Sequence, residues 1–276
     1  MEGRHGASRC GKSDAAARYP GTVSALKVAT WNVNGVRARE QQLLAWLQSE
    51  APDVVALQEL KASREQLPEA LCALPDYWCF WHGAGAYSGV ALALSRARFP
   101  QEPAFEHPPF DREQRVVTAS AGDLVLASVY VPNGGRDFAG KLDFLQRMTA
   151  WAGELRRDGR QLVLAGDLNV AREERDVHPK ERKPHQVGTR PEERELLERF
   201  LGEGLVDVGR RLDPDNDALF TWWAPWRNLR QRNIGWRIDY VTASEALAAR
   251  AVASVVQREV GTSDHGPVVV TFDGAG

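Results

Sequence analysis

The sequence predicts an α/β protein made of two packed β-sheets with helices outside them. Three observations lead there. Short apolar runs of strand type occur in both halves of the chain, from residue 26 to residue 272. Segments with helical spacing or helix-start signals fall between them. No repeat or linker-like composition divides the 276 residues, so one domain over 26–273 is expected, preceded by a loose tail over 1–25. Periodicity alone leaves the arrangement of the sheets open.

Leu26-Lys-Val-Ala-Thr-Trp31 is short, partly alternating and β-prone, and reads as a strand. Leu43, Leu44 and Leu47 recur at helical spacing within 39–50, and Pro52 lies just past that helix. The run 53–57 has the texture of a buried strand, so strand, helix and strand form a crossover unit. Apolar runs at 77–81, 89–94, 115–119 and 124–131 are separated by turn-rich or charged loops, which predicts an antiparallel meander. A helix at about 137–157 leads into the buried run Gln161-Leu-Val-Leu-Ala165. A charged, proline-containing loop over 171–190 precedes a helix over 191–202, whose first turn suits Pro191. Strands at about 236–242, 252–256 and 267–272 end the chain.

An apolar fraction of 43% with 26% charged residues is that of a soluble globular protein able to hold a core without disulfides. The net charge of −2, from 35 basic and 37 acidic residues, announces no nucleic-acid partner; a basic surface has to be a local patch. Cys10, Cys72 and Cys79 lack a metal-type spacing, and Cys79, inside Tyr77-Trp-Cys-Phe-Trp81, reads as a core residue. There is no apolar run of membrane length and no secretory h-region. These features predict an intracellular, cytoplasmic protein, associated with the nucleoid if bacterial, with no membrane partner.

The chemically loaded residues share one kind of position, where the chain leaves an apolar run. Asn32 and Asn34 follow the first strand, and Glu59 follows Val54-Val-Ala-Leu-Gln58. Tyr130 and Asn133 end the 124–131 run, while Asp167 and Asn169 follow Leu162-Val-Leu-Ala-Gly166. Asp239 lies inside Arg237-Ile-Asp-Tyr-Val241, and Asp264 and His265 stand just before Pro267-Val-Val-Val270. Singly, an acid or Asn at a strand end is a turn or cap residue. If the ends share a rim, however, Glu59, Asp167, Asp239 and Asp264 would repel one another without a cation. Oxygen donors plus one His suit Mg²⁺ or Mn²⁺ rather than structural zinc. Carboxylates, a metal, amide donors and a His–Asp pair are suited to in-line attack of water on a phosphodiester. The other histidines, His5, His82, His107, His178 and His185, have no motif partner and read as surface or structural residues.

Trp31-Asn-Val-Asn-Gly35, Leu57-Gln-Glu59, Val129-Tyr-Val-Pro-Asn-Gly134, Gly166-Asp-Leu-Asn169, Gly235-Trp-Arg-Ile-Asp-Tyr240 and Ser263-Asp-His265 occur in that order. Together they resemble the exonuclease III-type AP endonucleases of the endonuclease/exonuclease/phosphatase superfamily, over about 26–272. The resemblance implies a four-layer α/β sandwich, two packed mixed β-sheets flanked by helices, with the site between the edges of the sheets. It implies Glu59 as principal Mg²⁺ ligand, helped by Asn34 and by Asp264, the latter as ligand of a second or shifted position. Some relatives carry Asp where this chain has Asn34, and a neutral amide weakens a direct metal contact there. Asp167 would position or deprotonate the attacking water, with Asn169 and Asn32 holding it and the phosphate; Asp167 and Asn169 also count among the metal-side donors. His265 would donate to a phosphate oxygen, kept cationic by Asp239. Tyr130 would contact the phosphate or help the 3′ leaving oxygen, and Asn133 would be a further phosphate donor.

The same resemblance implies cutting 5′ to an abasic site in double-stranded DNA, with 3′-phosphodiesterase and 3′→5′ exonuclease activity alongside; a processing enzyme of this size needs no partner subunit, so a monomer is expected. Trp222, Trp236 and Ile238 match the pocket wall that accepts a bare sugar, against the plainer reading of core packing. Trp226-Arg-Asn-Leu-Arg-Gln-Arg232, with Arg237 behind, is the local basic patch; Arg230, Arg232 and Arg237 would meet DNA and Trp226 or Leu229 would wedge into it. Arg136 would insert from the opposite side. The basic residues of 171–190 fit either a grip on backbone phosphate or an ordinary surface loop. Two other classes stay open: a relative acting on phosphoinositides, sphingomyelin or poly(A), which the Trp-rich 221–238 segment opposes, and a catalytically idle DNA binder.

Overall fold

The structure, a computed structural model, describes residues 25–274. The expected tail over 1–25 lies outside the described residues except for its last position, as do Cys10 and His5. The chain runs β1 (Leu26–Asn32), α1 (Glu40–Glu50), β2 (Val54–Gln58), α2 (Glu69–Cys72), β3 (Tyr77–His82), β4 (Val90–Ser95), β5 (Ala104–Glu106), β6 (Val116–Ala121) and β7 (Leu124–Tyr130). It continues through α3 (Phe138–Arg157), β8 (Gln161–Asp167), α4 (Pro191–Leu201), β9 (Leu205–Asp207), α5 (Val208–Leu212), β10 (Asp239–Ser244), α6 (Glu245–Ala248), β11 (Ala251–Val256) and β12 (Val268–Phe272).

Two six-stranded sheets result, in the orders β11-β12-β1-β2-β4-β3 and β5-β6-β7-β8-β10-β9. Both are mixed: β1 with β2 and β7 with β8 are parallel, and the other pairs are antiparallel. Alternate residues of each strand go to opposite faces. Val28, Val54, Ala56 and Leu92 therefore meet Val117, Leu126, Val163 and Val241 between the sheets. Trp31, Val55 and Leu57 face outward onto Leu43, Trp46 and Leu47 of α1. On the far side Val129, Leu162 and Leu164 pack under Phe144 and Met148 of α3 and Leu197 and Phe200 of α4. The expected four-layer sandwich is thus present, and burial on both faces explains why the central strands read as continuous apolar runs.

Local signals set the helix ends. Asp137 accepts from the Gly140 N–H at 2.8 Å and so caps α3. Pro191 opens α4, and Glu193 accepts from the Arg190 N–H at 2.9 Å. The single meander expected over 77–131 is corrected. β3 and β4 form a hairpin in the first sheet, whereas β5, β6 and β7 belong to the second. Strand periodicity carries no sheet address. β4 already has β2 and β3 on its two sides, so the chain has no edge there to extend and crosses to the other sheet. The three-residue strands β5 and β9 are too short to leave a period in the sequence. No helix among the described residues is long and apolar enough to cross a membrane.

Candidate active site

Topology brings the polar strand ends to one rim. The parallel pairs β1/β2 and β7/β8 end there, and β10 and β12, antiparallel to β8 and β1, begin there. Register places Asp167 opposite both Tyr130 and Asp239. Gly166 is required in this weave, because a Cβ on it would lie 1.9 Å from the Val129 carbonyl oxygen. Beyond the strands, Asn34, Glu59 and Asn169 adopt left-handed backbone with φ of 46°, 52° and 51°. Such backbone is costly for side-chain-bearing residues and survives where the surroundings over-determine it.

The Asn32 amide joins the two sheets by donating to Glu59 Oε1 and Asp167 Oδ2, both at 2.9 Å. The Tyr130 hydroxyl donates to the same Glu59 oxygen at 2.9 Å, and Lys61 Nζ lies 2.7 Å from the other. The Asn169 N–H donates to Asp167 Oδ1 at 2.9 Å, and its side-chain oxygen accepts from Asn133 at 3.2 Å. His265 Nδ1 lies 2.9 and 3.1 Å from the Asp239 oxygens, and its Nε2 faces Asp167 Oδ2 at 3.9 Å. Asp239 also accepts from the Thr221 hydroxyl at 2.6 Å.

Burial and charge tune these groups in opposite directions. Asp167, fully enclosed, is pushed up to about 7 by burial and by the Asp239 and Glu59 carboxylates. Burial also works against ionisation of Glu59, but the Asn32 and Lys61 hydrogen bonds outweigh it and hold the carboxyl below its usual range. Burial pulls His265 down, yet Asp239 overcomes it and raises the imidazole to about 10. Burial, then Glu59 and Asp167, push the Tyr130 phenol far above its usual value, so it works as a hydrogen-bond donor. At neutral pH the rim offers carboxylates, a cationic imidazole and neutral donors around one gap.

Glu59, Asp167 and His265 each place a ligand-type atom within 4.8 Å of the others. An imidazolium has no lone pair, so the two carboxylates are the better cation donors and His265 the better proton donor. Four carboxylates (Glu59, Asp167, Asp239, Asp264) stand against two cations, Lys61 and His265. The excess of two negative charges matches one divalent cation, so the donor set fits the metal that the residue types implied. Asn34 and Asp264 are turned toward each other, with Asn34 Nδ2 donating to Asp264 Oδ1 at 2.7 Å. Their other oxygens are engaged too, Asn34 Oδ1 by Lys61 at 2.6 Å and Asp264 Oδ2 by the Trp222 indole at 2.9 Å.

Three residues expected on the DNA face are elsewhere. Arg237 is buried and ion-paired with Asp176 and Asp207, both at 2.8 Å in their shortest contacts, so it braces the fold and cannot meet phosphate. Arg230 spends its guanidinium on the carbonyls of Arg258, Val260 and Ser263 and stacks over Trp223. Leu229 is buried with Ala224 and Ile234, which removes it as a wedge. Trp226, by contrast, is 57% exposed, and Arg136, Asn133 and Arg232 are exposed as well. Trp236 and Ile238 are buried beside Ala171 and Val177, with half-buried Trp222 over them. In the 171–190 loop, Arg172 pairs with Glu198, Arg175 with Glu173 and Arg182 with Glu174, as in an ordinary surface loop.

Lys61, Thr221, Arg115 and Lys141 escaped the sequence reading. Arg115 is 2% exposed and lies 4.7 Å over the Tyr130 ring. Lys141 is buried under the rim, paired with Glu193, and donates to the Asn169 carbonyl at 2.7 Å. Lys61 and Thr221 sit two positions after Glu59 and one before Trp222, inside or beside the quoted motifs, so proximity could have flagged them. Nothing in the sequence distinguishes Arg115 or Lys141 from a surface cation.

A two-sheet sandwich whose rim gathers carboxylates, amides and an Asp-held imidazolium defines a phosphodiesterase-type hydrolase. The model of the endonuclease/exonuclease/phosphatase family matches residues 29–265, and the chain belongs to that family and is a hydrolytic nuclease. It is 34% identical over 261 residues to the DNA repair nuclease APEX1 of Danio rerio, covering 91% of this chain and 83% of that one. It is 33% identical over 253 residues to an exodeoxyribonuclease of Bacillus subtilis, covering 88% and 98%. An AP endonuclease from Archaeoglobus fulgidus superposes with a TM-score of 0.81 at 29% identity, covering 90% of this chain and 99% of its own.

Proposed function

We propose that the protein is a DNA-repair endonuclease that hydrolyses the phosphodiester 5′ to an abasic site in double-stranded DNA and leaves a 3′-hydroxyl. It acts as a monomer with Mg²⁺, for which Mn²⁺ can substitute. The observation that carries this reading is an apolar corner directly against the acid–imidazole cluster. The Trp222 ring lies 6.5 Å from His265 and edge-on to Trp236 at 6.0 Å, with Ile238 behind. Such a corner favours a bare sugar, and a nucleotide without its base flips out cheaply because little stacking or pairing is lost. The DNA substrate is supported by the relatives, one a DNA repair nuclease and one an exodeoxyribonuclease. The latter also supports exonuclease activity on the same site, to which the proposal adds the 3′→5′ direction and 3′-phosphodiesterase action.

In this mechanism Asp167 takes the proton of the attacking water, its carboxylate oriented by Asn32 and by the Asn169 N–H. His265 donates from Nε2 to a phosphate oxygen, with Asp239 holding the opposite nitrogen. Tyr130 and Asn133 add neutral donors on the other side of the phosphate. Mg²⁺ held by Glu59 and Asp167, with Asn34, Asn169 and Asp264 as further donors, would supply positive charge to the phosphate oxygens. Arg136, Trp226 and Arg232 grip the duplex on either side.

The test is a synthetic duplex with one abasic analogue, incubated with Mg²⁺, Mn²⁺, Ca²⁺ or chelator, against undamaged and 3′-blocked controls. A single nick 5′ to the analogue, abolished by EDTA, is expected. Preference for an inositol phosphate or poly(A) over abasic DNA would overturn the substrate assignment.

A further inference from the structure

Away from the rim, three residues of metal-ligating type meet where the sheets come together at their edge strands. His82 ends β3, the outer strand of the first sheet, and His107 follows β5, the outer strand of the second. Asp111 lies on the loop leading to β6. His82 Nε2 is 2.6 Å from Asp111 Oδ2, and the two imidazole rings stack with centroids 3.8 Å apart. One ligand atom from each of the three lies within 4.8 Å of the others. Beneath them Phe80 and Phe105 stack across the sheets at 5.4 Å, giving the cluster an apolar floor. His107 is exposed, so the cluster opens to solvent on that side.

The surrounding hydrogen bonds settle which atoms are presented. His107 Nδ1 is 3.1 Å from the Val116 carbonyl oxygen. A carbonyl only accepts, so Nδ1 carries the proton. With Nδ1 as the donor, the ring's ligating nitrogen is Nε2. Asp111 Oδ1 accepts from the Arg115 and Val116 N–H groups at 2.8 and 2.9 Å, which leaves Oδ2 for His82. Orientation of ligating groups by such outer partners is the usual construction of a metal site.

We propose that His82 Nε2, His107 Nε2 and Asp111 Oδ2 form a second metal site, separate from the rim, for a borderline divalent transition ion such as Zn²⁺. Two imidazoles and one carboxylate suit Zn²⁺, Co²⁺ or Ni²⁺ over Mg²⁺, and water completes the coordination from the exposed side. The His82–Asp111 hydrogen bond gives way as the ion enters, and any proton on His82 Nε2 passes to Nδ1 or to solvent. The ion ties the two sheets together at their edge. It also pins the loop whose Arg115 lies over Tyr130, and thereby steadies the phenol on Glu59.

The test separates this site from the rim by working in the full-length Glu59→Gln/Asp167→Asn protein with millimolar Mg²⁺ present. Co²⁺ is followed by its visible absorption and Zn²⁺ by calorimetry. One equivalent of each is expected to bind, with a rise in the unfolding midpoint. His107→Gln and, independently, Asp111→Asn in the same background should weaken binding at least about tenfold and erase the Zn²⁺-dependent rise. Circular dichroism checks that each variant is folded, and the exposed position of His107 makes its substitution the milder. No binding in the parent, or unchanged binding in folded His107→Gln, would overturn the proposal.

Discussion

Asp239→Asn removes the charge against which His265 holds its proton while leaving an oxygen to accept from Thr221. The two Asp239 oxygens lie 2.9 and 3.1 Å from Nδ1, and both residues are buried. With the carboxylate present the imidazole is raised to about 10; when Asp239 is neutral, burial still lowers the ring while the Asp167 and Asp264 carboxylates still raise it. The ring then titrates below 10, moved back toward its ordinary 6.5. A full return to that value, the upper bound, corresponds to about 5 kcal/mol of lost imidazolium stabilisation, at about 1.36 kcal/mol per unit. At pH 8 a ring returned fully to 6.5 is only ~3% protonated, so turnover should drop by up to about 30-fold from this effect alone. Loss of geometry adds to that.

The assay is the pH profile of kcat/KM on abasic duplex at saturating Mg²⁺. The wild-type alkaline limb belongs near 10, and the variant's should fall below it, toward 6.5. Stability follows the same sign. A group whose pKa rises on folding contributes fully below its unfolded value, and the contribution disappears as pH climbs through its folded value. The stability gap between wild type and variant should therefore be largest below 6.5 and close toward 10. A variant that is slower at every pH, with its alkaline limb unmoved, would refute Asp239 as the source of the imidazolium.

Three further outcomes are expected. Asp167 rises from 3.8 to about 7 on folding, so the metal-free protein loses stability as pH rises through that window; Asp167→Asn should be more stable in EDTA at pH 8, by up to about 4 kcal/mol, while turnover falls by orders of magnitude, and equal or lower stability would contradict the repulsion argument. Lys141→Met strands the buried Glu193 carboxylate and should cost about 3–5 kcal/mol in denaturant unfolding, most of it recovered when Glu193→Leu is added. Arg232→Ala should leave stability within about 0.5 kcal/mol and reduce the salt slope of DNA binding by about 1, whereas Arg230→Ala, which removes three hydrogen bonds to carbonyls, should chiefly lower the unfolding midpoint.

The sandwich was legible because burial on both faces writes itself into composition: Val54-Val-Ala-Leu and Leu162-Val-Leu-Ala are apolar throughout since each serves two cores. Sheet membership was not, because β4 and β6 obey the same period-2 rule and only the occupied sides of β4 send the chain to the second sheet. Partnership of charges was equally hidden. Arg230, Arg232 and Arg237 look alike within one basic stretch, yet Arg237 is enclosed by Asp176 and Asp207, from 61 and 30 residues earlier, and Arg230 by carbonyls of the 258–263 turn.

That contrast says where sequence carries chemistry and where it does not. A carboxylate leaving a buried strand is confined by the strand, so its position follows from the local pattern; Glu59, Asp167 and Asp239 are placed by β2, β8 and β10 before any long-range contact is considered. A long cationic side chain can reach in several directions, and its role is decided by what folds up beside it. The same reasoning accounts for the histidines. His265 was readable because Asp264 and the following strand gave it a context, whereas His82, His107 and Asp111 acquire one only when the outer strands of two different sheets are brought edge to edge.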